Sequence, residues 1–195
     1  MGAVISDKGG TEEDIKARIG KATGAFNSLQ NVWKSKRIQK NTKLKLFKSN
    51  VLSVLLYGCE SWKVTKTVTH KLQVFINKCL RKILGIYWPA TINNSELWKS
   101  ATTQSVDIII RERKWKWLGH TLRKPNHNIA KEALEWNPQG KRKRGRPPTT
   151  WRRSVLKEAE TAGKTWEEIK KGAQNRVRWR QFVAALCSTR NEKDK

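Results

Sequence analysis

The sequence predicts a mainly α protein: a small helical bundle followed by a second helical module, joined through a basic Gly/Pro loop. Three observations carry this. Apolar residues recur at helical spacing along the 195-residue chain. Gly58, Gly85 and Pro89 stop those stretches where helices should end. An apolar fraction of 37% suffices for thin cores between amphipathic helices and is lean for one deep globule.

The opening MGAVISDKGG, residues 1–10, is a short apolar run ending in a turn. Thr11 then precedes Glu12, Glu13 and Asp14, acids set against the positive end of a helix dipole, which predicts a helix to about Lys34. A second helix is expected from about Thr42 to Gly58, with Leu44, Phe47, Val51 and Leu55 on one stripe. A third runs from about Thr67 to Gly85 and turns Leu72, Phe75, Ile76, Cys79 and Ile83 inward. Three such helices with short links make a bundle over residues 11–86.

Residues 87–136 read as a helical connector. Pro89 breaks the pattern, a short helix follows Asn94, a long one runs from Val106 to Leu122 with Ile109, Ile110 and Trp117 inward, and a short one covers Ala130 to Trp136. The stretch 137–149 contains GKRKRGRPP, which glycine and paired prolines keep out of helix or central strand, so it is a loop. Residues 150–188 predict two or three more helices, each with a threonine cap and a buried tryptophan. Residues 189–195, ending NEKDK, read as a flexible tail.

Forty-two Lys and Arg against sixteen Asp and Glu give a formal charge of +26, more than solubility requires, so a polyanionic partner is expected and nucleic acid leads. Between Asn31 and Lys82 stand thirteen cations and one acid, Glu60. A merely solvated face would mix in glutamates for i to i+4 pairing. The candidate contacts are Lys43, Lys45, Lys48, Lys78, Arg81 and Lys82 on the bundle, and Arg111, Lys114 and Lys116 on the long helix. Lys141, Arg142, Lys143, Arg144 and Arg146 in the loop, with Arg152 and Arg153 after it, complete the set. No run of about 18 apolar residues and no signal sequence is present, so a membrane partner is not expected and an intracellular location, nucleus or cytoplasm, is.

The sixteen acids are scattered, and none forms the carboxylate cluster that two-metal chemistry needs. Asp107, four residues before Arg111, reads as a helix salt bridge. His120 falls on the stripe of Val106, Ile110 and Trp117 and is expected to be a packed, hydrogen-bonded histidine; His127 could join it with Cys59 or Cys79 at a metal, though nothing in the spacing requires that. Cys59, Cys79 and Cys187 are odd in number and far apart, which reads as reduced thiols. No catalytic residue, metal or cofactor is expected. Of the ten tryptophans, Trp62, Trp117, Trp151 and Trp179 read as structural, with base stacking the alternative for any that stand exposed.

Taken in order, LLYGCESW, INKCLRKILGIYWPATINNSELW, WLGHTLRK, GKRKRGRPPTTW and QNRVRWRQFVAAL give a chain that resembles the carboxy-terminal part of the reverse transcriptases of non-LTR, LINE-type retrotransposons, especially the RTE-like group. The resemblance is collinear over nearly the whole chain. It implies that the catalytic palm and its paired aspartates lie upstream of the segment that MGAVISDKGG resembles, that residues from about 11 to 85 are a thumb gripping the primer–template duplex, and that the rest helps hold RNA and target DNA. A second class of function stays open: a protein-interaction fragment docking on a separate polymerase body through its VLSVLLYG segment, or a degenerate copy. The Arg144, Gly145, Arg146, Pro147 core resembles an AT-hook that enters a narrow A·T minor groove. A nonspecific phosphate-binding connector, an import signal or an inert linker are the other readings of that loop.

Overall fold

The first helix, α1 (Glu12–Ser28), stops six residues short of the expected end, and the physical reason lies in a tryptophan. Leu29 leaves helical geometry, and α2 (Gln30–Lys34) starts afresh. The break lets Trp33 fold back so that its indole stacks on Phe26 at 5.1 Å and its Nε1–H donates to the Phe26 carbonyl at 2.7 Å. One buried ring thereby satisfies a carbonyl that the interrupted ladder leaves over.

The computed structural model describes residues 11–136 and 150–188. The expectations for 1–10, for the loop 137–149 with Lys141, Arg142, Lys143, Arg144 and Arg146, and for 189–195 lie outside the described residues. Among those described every regular element is helical, and the fold is mainly α. The chain divides into two compact units, one of residues 11–59 and 64–110, the other of 60–63, 111–136 and 150–188. Residues 87–110, expected in a connector, therefore belong with the first bundle.

In the first unit α3 (Lys40–Leu46) widens into a π-helical segment (Phe47–Leu52) before α4 (Ser53–Leu55). The wide turn puts Phe47, Val51 and Leu52 on the buried side together, while Lys48, Ser49 and Asn50 stay exposed. Val51, Leu52, Leu55 and Leu56 of VLSVLLYG are buried in the bundle, whereas Tyr57 stays exposed. Helix α5 (Lys66–Leu84) is capped by Thr65, which accepts from the Val68 N–H. It ends at Gly85 in the left-handed region (φ 69°), with the Ile86 N–H reaching the Arg81 carbonyl at 3.0 Å. Its inward residues are Val68, Leu72, Ile76, Cys79, Leu80 and Ile83; Phe75 is only half-buried. Helix α6 (Asn94–Ser100) follows a loop whose Trp88–Pro89 peptide is cis.

Helix α7 (Val106–Leu122) has the expected bounds but a different inner face. Trp115 and Leu118 are fully buried, whereas Ile109 and Trp117 are half-buried and His120 is exposed, which corrects the packed-histidine reading. In the second unit Trp115, Trp179 and Phe182 form a cluster with ring centroids 5.5–5.9 Å apart. The Trp179 Nε1–H donates to the Trp115 carbonyl at 3.1 Å. Trp117 packs edge-on against Trp151, whose indole donates to the Glu60 carbonyl at 2.7 Å. Trp62 is buried. Helix α8 is Ile129–Glu135. Thr150 and Thr165 cap α9 (Trp151–Thr161) and α10 (Trp166–Gln174), the latter through a full capping box with Glu168. The expected third threonine cap is absent: Asn175 accepts from the Val177 and Arg178 N–H groups at the start of α11 (Arg176–Ser188).

Candidate nucleic-acid interface

Helix α5 carries Lys66, Lys71, Lys78, Arg81 and Lys82 and no acid at all. Lys71, Lys78 and Lys82 are spaced by seven and four residues, so at about 100° per residue they share one line along the helix. All three are exposed, and none makes an ion pair among the described residues. At a rise of about 1.5 Å per residue the line is roughly 16 Å long, comparable to about five phosphates of one DNA strand. Lys71 is absent from the candidates that the sequence suggested; the seven-residue interval was the signal.

The other bundle cations are placed unequally. Lys45 is exposed and makes no ion pair among the described residues, and Lys48 is exposed with its Nζ donating to the Thr102 carbonyl at 2.8 Å. Arg81 is half-buried and donates to the Asn94 side-chain oxygen at 2.8 Å and to the Ile92 carbonyl at 3.4 Å. Lys43 is buried, and its Nζ donates to the Trp33 carbonyl at 2.8 Å. That carbonyl is in the last turn of α2, where the dipole favours a cation, so Lys43 is structural and not an outward grip.

In the second unit the assignments change more. Arg111 and Lys114 are buried, because they lie on the same side of α7 as Trp115 and Leu118. Lys114 is paired with Glu158 at 2.6 Å. Lys116 is exposed and paired with Glu112, Arg152 is half-buried and donates to the Glu135 carbonyl at 3.2 Å, and Arg153 is exposed. The structure adds a cluster that the sequence alone did not suggest. Arg123 donates to the Ala173 carbonyl at 2.8 Å, and its pKa is lowered by burial and then by the charges of Arg176 and Arg180. Arg176 and Arg180 are one helical turn apart at the start of α11, both exposed. Three guanidinium groups that repel one another are a place where a phosphate relieves the repulsion. The alternation RVRWR was the available signal.

The thiols take no part. Cys59, Cys79 and Cys187 are all buried. Burial pushes the Cys79 thiol up to about 12 against the opposing pull of Lys82 and Lys78, and burial also raises Cys187. Protonated thiols are neither nucleophiles nor metal ligands. Among the described residues no three His, Cys, Asp or Glu side chains converge as a metal site, and no helix is long and apolar enough to cross a membrane.

Two comparisons with known proteins give matches. A family described as a domain of unknown function (DUF6451) matches residues 25–57, the stretch from the end of α1 to just past α4. A Caenorhabditis elegans protein, named only as uncharacterized and transposon-derived, is 26% identical over 174 residues, 87% of this chain. The chain spans 62% of that relative's length. No solved structure matches.

Proposed function

We propose that this chain is a non-catalytic, nucleic-acid-binding part of a retroelement reverse transcriptase, with its first unit a thumb-like bundle that grips template–primer or target duplex by its phosphates. The observation that carries the reading is the acid-free α5 with Lys71, Lys78 and Lys82 on one exposed line. Phosphate contacts of this kind position a duplex without reading its bases. The similarity to a transposon-derived protein supports the retroelement origin. Arg123, Arg176 and Arg180 in the second unit and the loop cations Arg144 and Arg146 extend the same chemistry to RNA, DNA or their hybrid.

The test is retention on heparin with a gel shift on plain duplex of arbitrary sequence. Retention and a shift that added salt reverses are expected. A chain that elutes early, shifts nothing and forms oligomers would instead be a protein-interaction fragment for a polymerase body.

A further inference from the structure

Trp88 is 90% exposed and Tyr87 62%, while Trp33, Trp62, Trp115 and Trp179 are all buried. Two adjacent exposed rings form a contiguous aromatic surface that can take a partner outside the chain, as a lone exposed ring would not. The loop that carries the two rings is fixed. Gly85 and Ile86 hydrogen-bond back to the last turn of α5, the Ala90 N–H closes a turn on the Tyr87 carbonyl at 2.9 Å, and Arg81 holds Ile92 and Asn94. Asn77 donates to Asn94 at 3.1 Å and accepts from the Trp98 indole at 2.8 Å, tying the far end of the loop to the same helix.

The charge around this tip is one-signed. Between residues 61 and 95 there is no acid, and the nearest beyond is Glu96 in the first turn of α6. The lysine line on α5 ends at Lys82, three residues before Gly85, so the rings follow directly on exposed cationic side chains. Two adjacent rings on a tethered loop at the end of a basic stripe combine stacking faces with cations, the pairing that holds single strands without regard to sequence.

We infer that Tyr87 and Trp88 form a stacking platform for unpaired bases of a single-stranded nucleic acid whose backbone lies along Lys78 and Lys82. Paired bases inside a duplex offer no free face, so the platform separates single strand from duplex. The inference rests on the basic face being a nucleic-acid grip, and its failure is distinguishable from failure of that reading.

The experiment uses the full chain and fluorescence anisotropy at one salt concentration, with a homopyrimidine single strand and a blunt duplex of equal length. The double variant Tyr87→Ala, Trp88→Ala should lose about tenfold or more in single-strand affinity, keep its duplex affinity and retain its helical circular dichroism. Trp88→Phe should keep most of the binding, and the quenching of tryptophan emission by single strand should shrink in it. Unchanged single-strand affinity in the double variant, or an equal loss on both probes, overturns the platform. A parent that binds duplex but not single strand overturns the platform alone. A parent that binds neither probe overturns both readings, and transfer of Trp88 emission to anionic vesicles would then mark the tip as a membrane contact.

Discussion

The ammonium of Lys114 lies 2.6 Å from a carboxylate oxygen of Glu158, a residue 44 positions away. The other carboxylate oxygen accepts the Trp115 indole N–H at 2.6 Å. The Lys114 side chain is only 5% exposed, so removing its partner strands a charge away from water. Glu158→Ala should cost about 3 kcal/mol in urea unfolding. It should leave duplex affinity of the folded chain unchanged, because Lys114 faces Glu158 and not solvent. A parent-like urea midpoint would show that the pair does not hold the second unit together.

Gly119 faces the Trp179 ring so closely that a methyl group added there would fall well inside van der Waals contact of Nε1 and Cε2. The indole has little room to retreat, since it donates to Trp115 and packs on Phe182. Gly119→Ala should therefore lower stability by about 2 kcal/mol or more through overpacking. Trp179→Ala should cost about 3 to 5 kcal/mol through the cavity it leaves. Thermal melts of the two variants check both; an unshifted Gly119→Ala melt would contradict the close approach.

The Cys79 thiol should be unreactive in the folded chain. Burial raises its pKa from the ordinary 9.0 to about 12, so folding favours the neutral thiol. The sign follows: this contribution to stability is fully present below about pH 9 and is lost as pH rises from there toward 12. Iodoacetamide at pH 8 should modify Cys79 only after urea is added, and Cys79→Val should flatten the alkaline part of the stability curve. Prompt labelling of Cys79 under native conditions would contradict its burial.

The features legible in the sequence were those set by local chemistry. The bounds of α7, the Gly85 end of α5 and the threonine caps of α9 and α10 follow from capping residues and periodicity alone, while the start of α5 lies at the Thr65 cap, just before the expected Thr67. What was hidden depends on partners distant in sequence. Trp117 and Trp115 are both plausible inward rings by spacing; Phe182 and Trp179, more than sixty residues on, decide for Trp115 and carry Lys114 inward with it. Lys43 looks like any surface lysine until the break at Leu29 brings the Trp33 carbonyl to it. His120 shows the converse, a residue placed inside by its stripe and left outside by the same rotation of α7.

The loop arginines make a prediction of their own. Arg144→Ala with Arg146→Ala should weaken DNA binding without changing helical content, since Gly145 and the paired prolines disfavour a helix there. If the loop enters a minor groove, A·T-rich duplex should outcompete G·C-rich duplex for the parent, and the double variant should erase that difference. Equal affinities for both duplexes in parent and variant at the same salt would make the loop a connector only.

The central claim is that exposed lysines of the first unit hold nucleic acid by its phosphates, and the dependence of duplex affinity on salt tests it most directly. The logarithm of affinity should fall linearly with the logarithm of salt, with a slope reflecting on the order of five or more phosphate contacts. Changing Lys45, Lys71, Lys78 and Lys82 together to glutamine should flatten that slope by about 0.9 for each phosphate that is no longer neutralised. Lys43→Gln should lower stability and leave the slope alone. A parent slope near zero, or a quadruple variant with the parent's slope, would contradict the account.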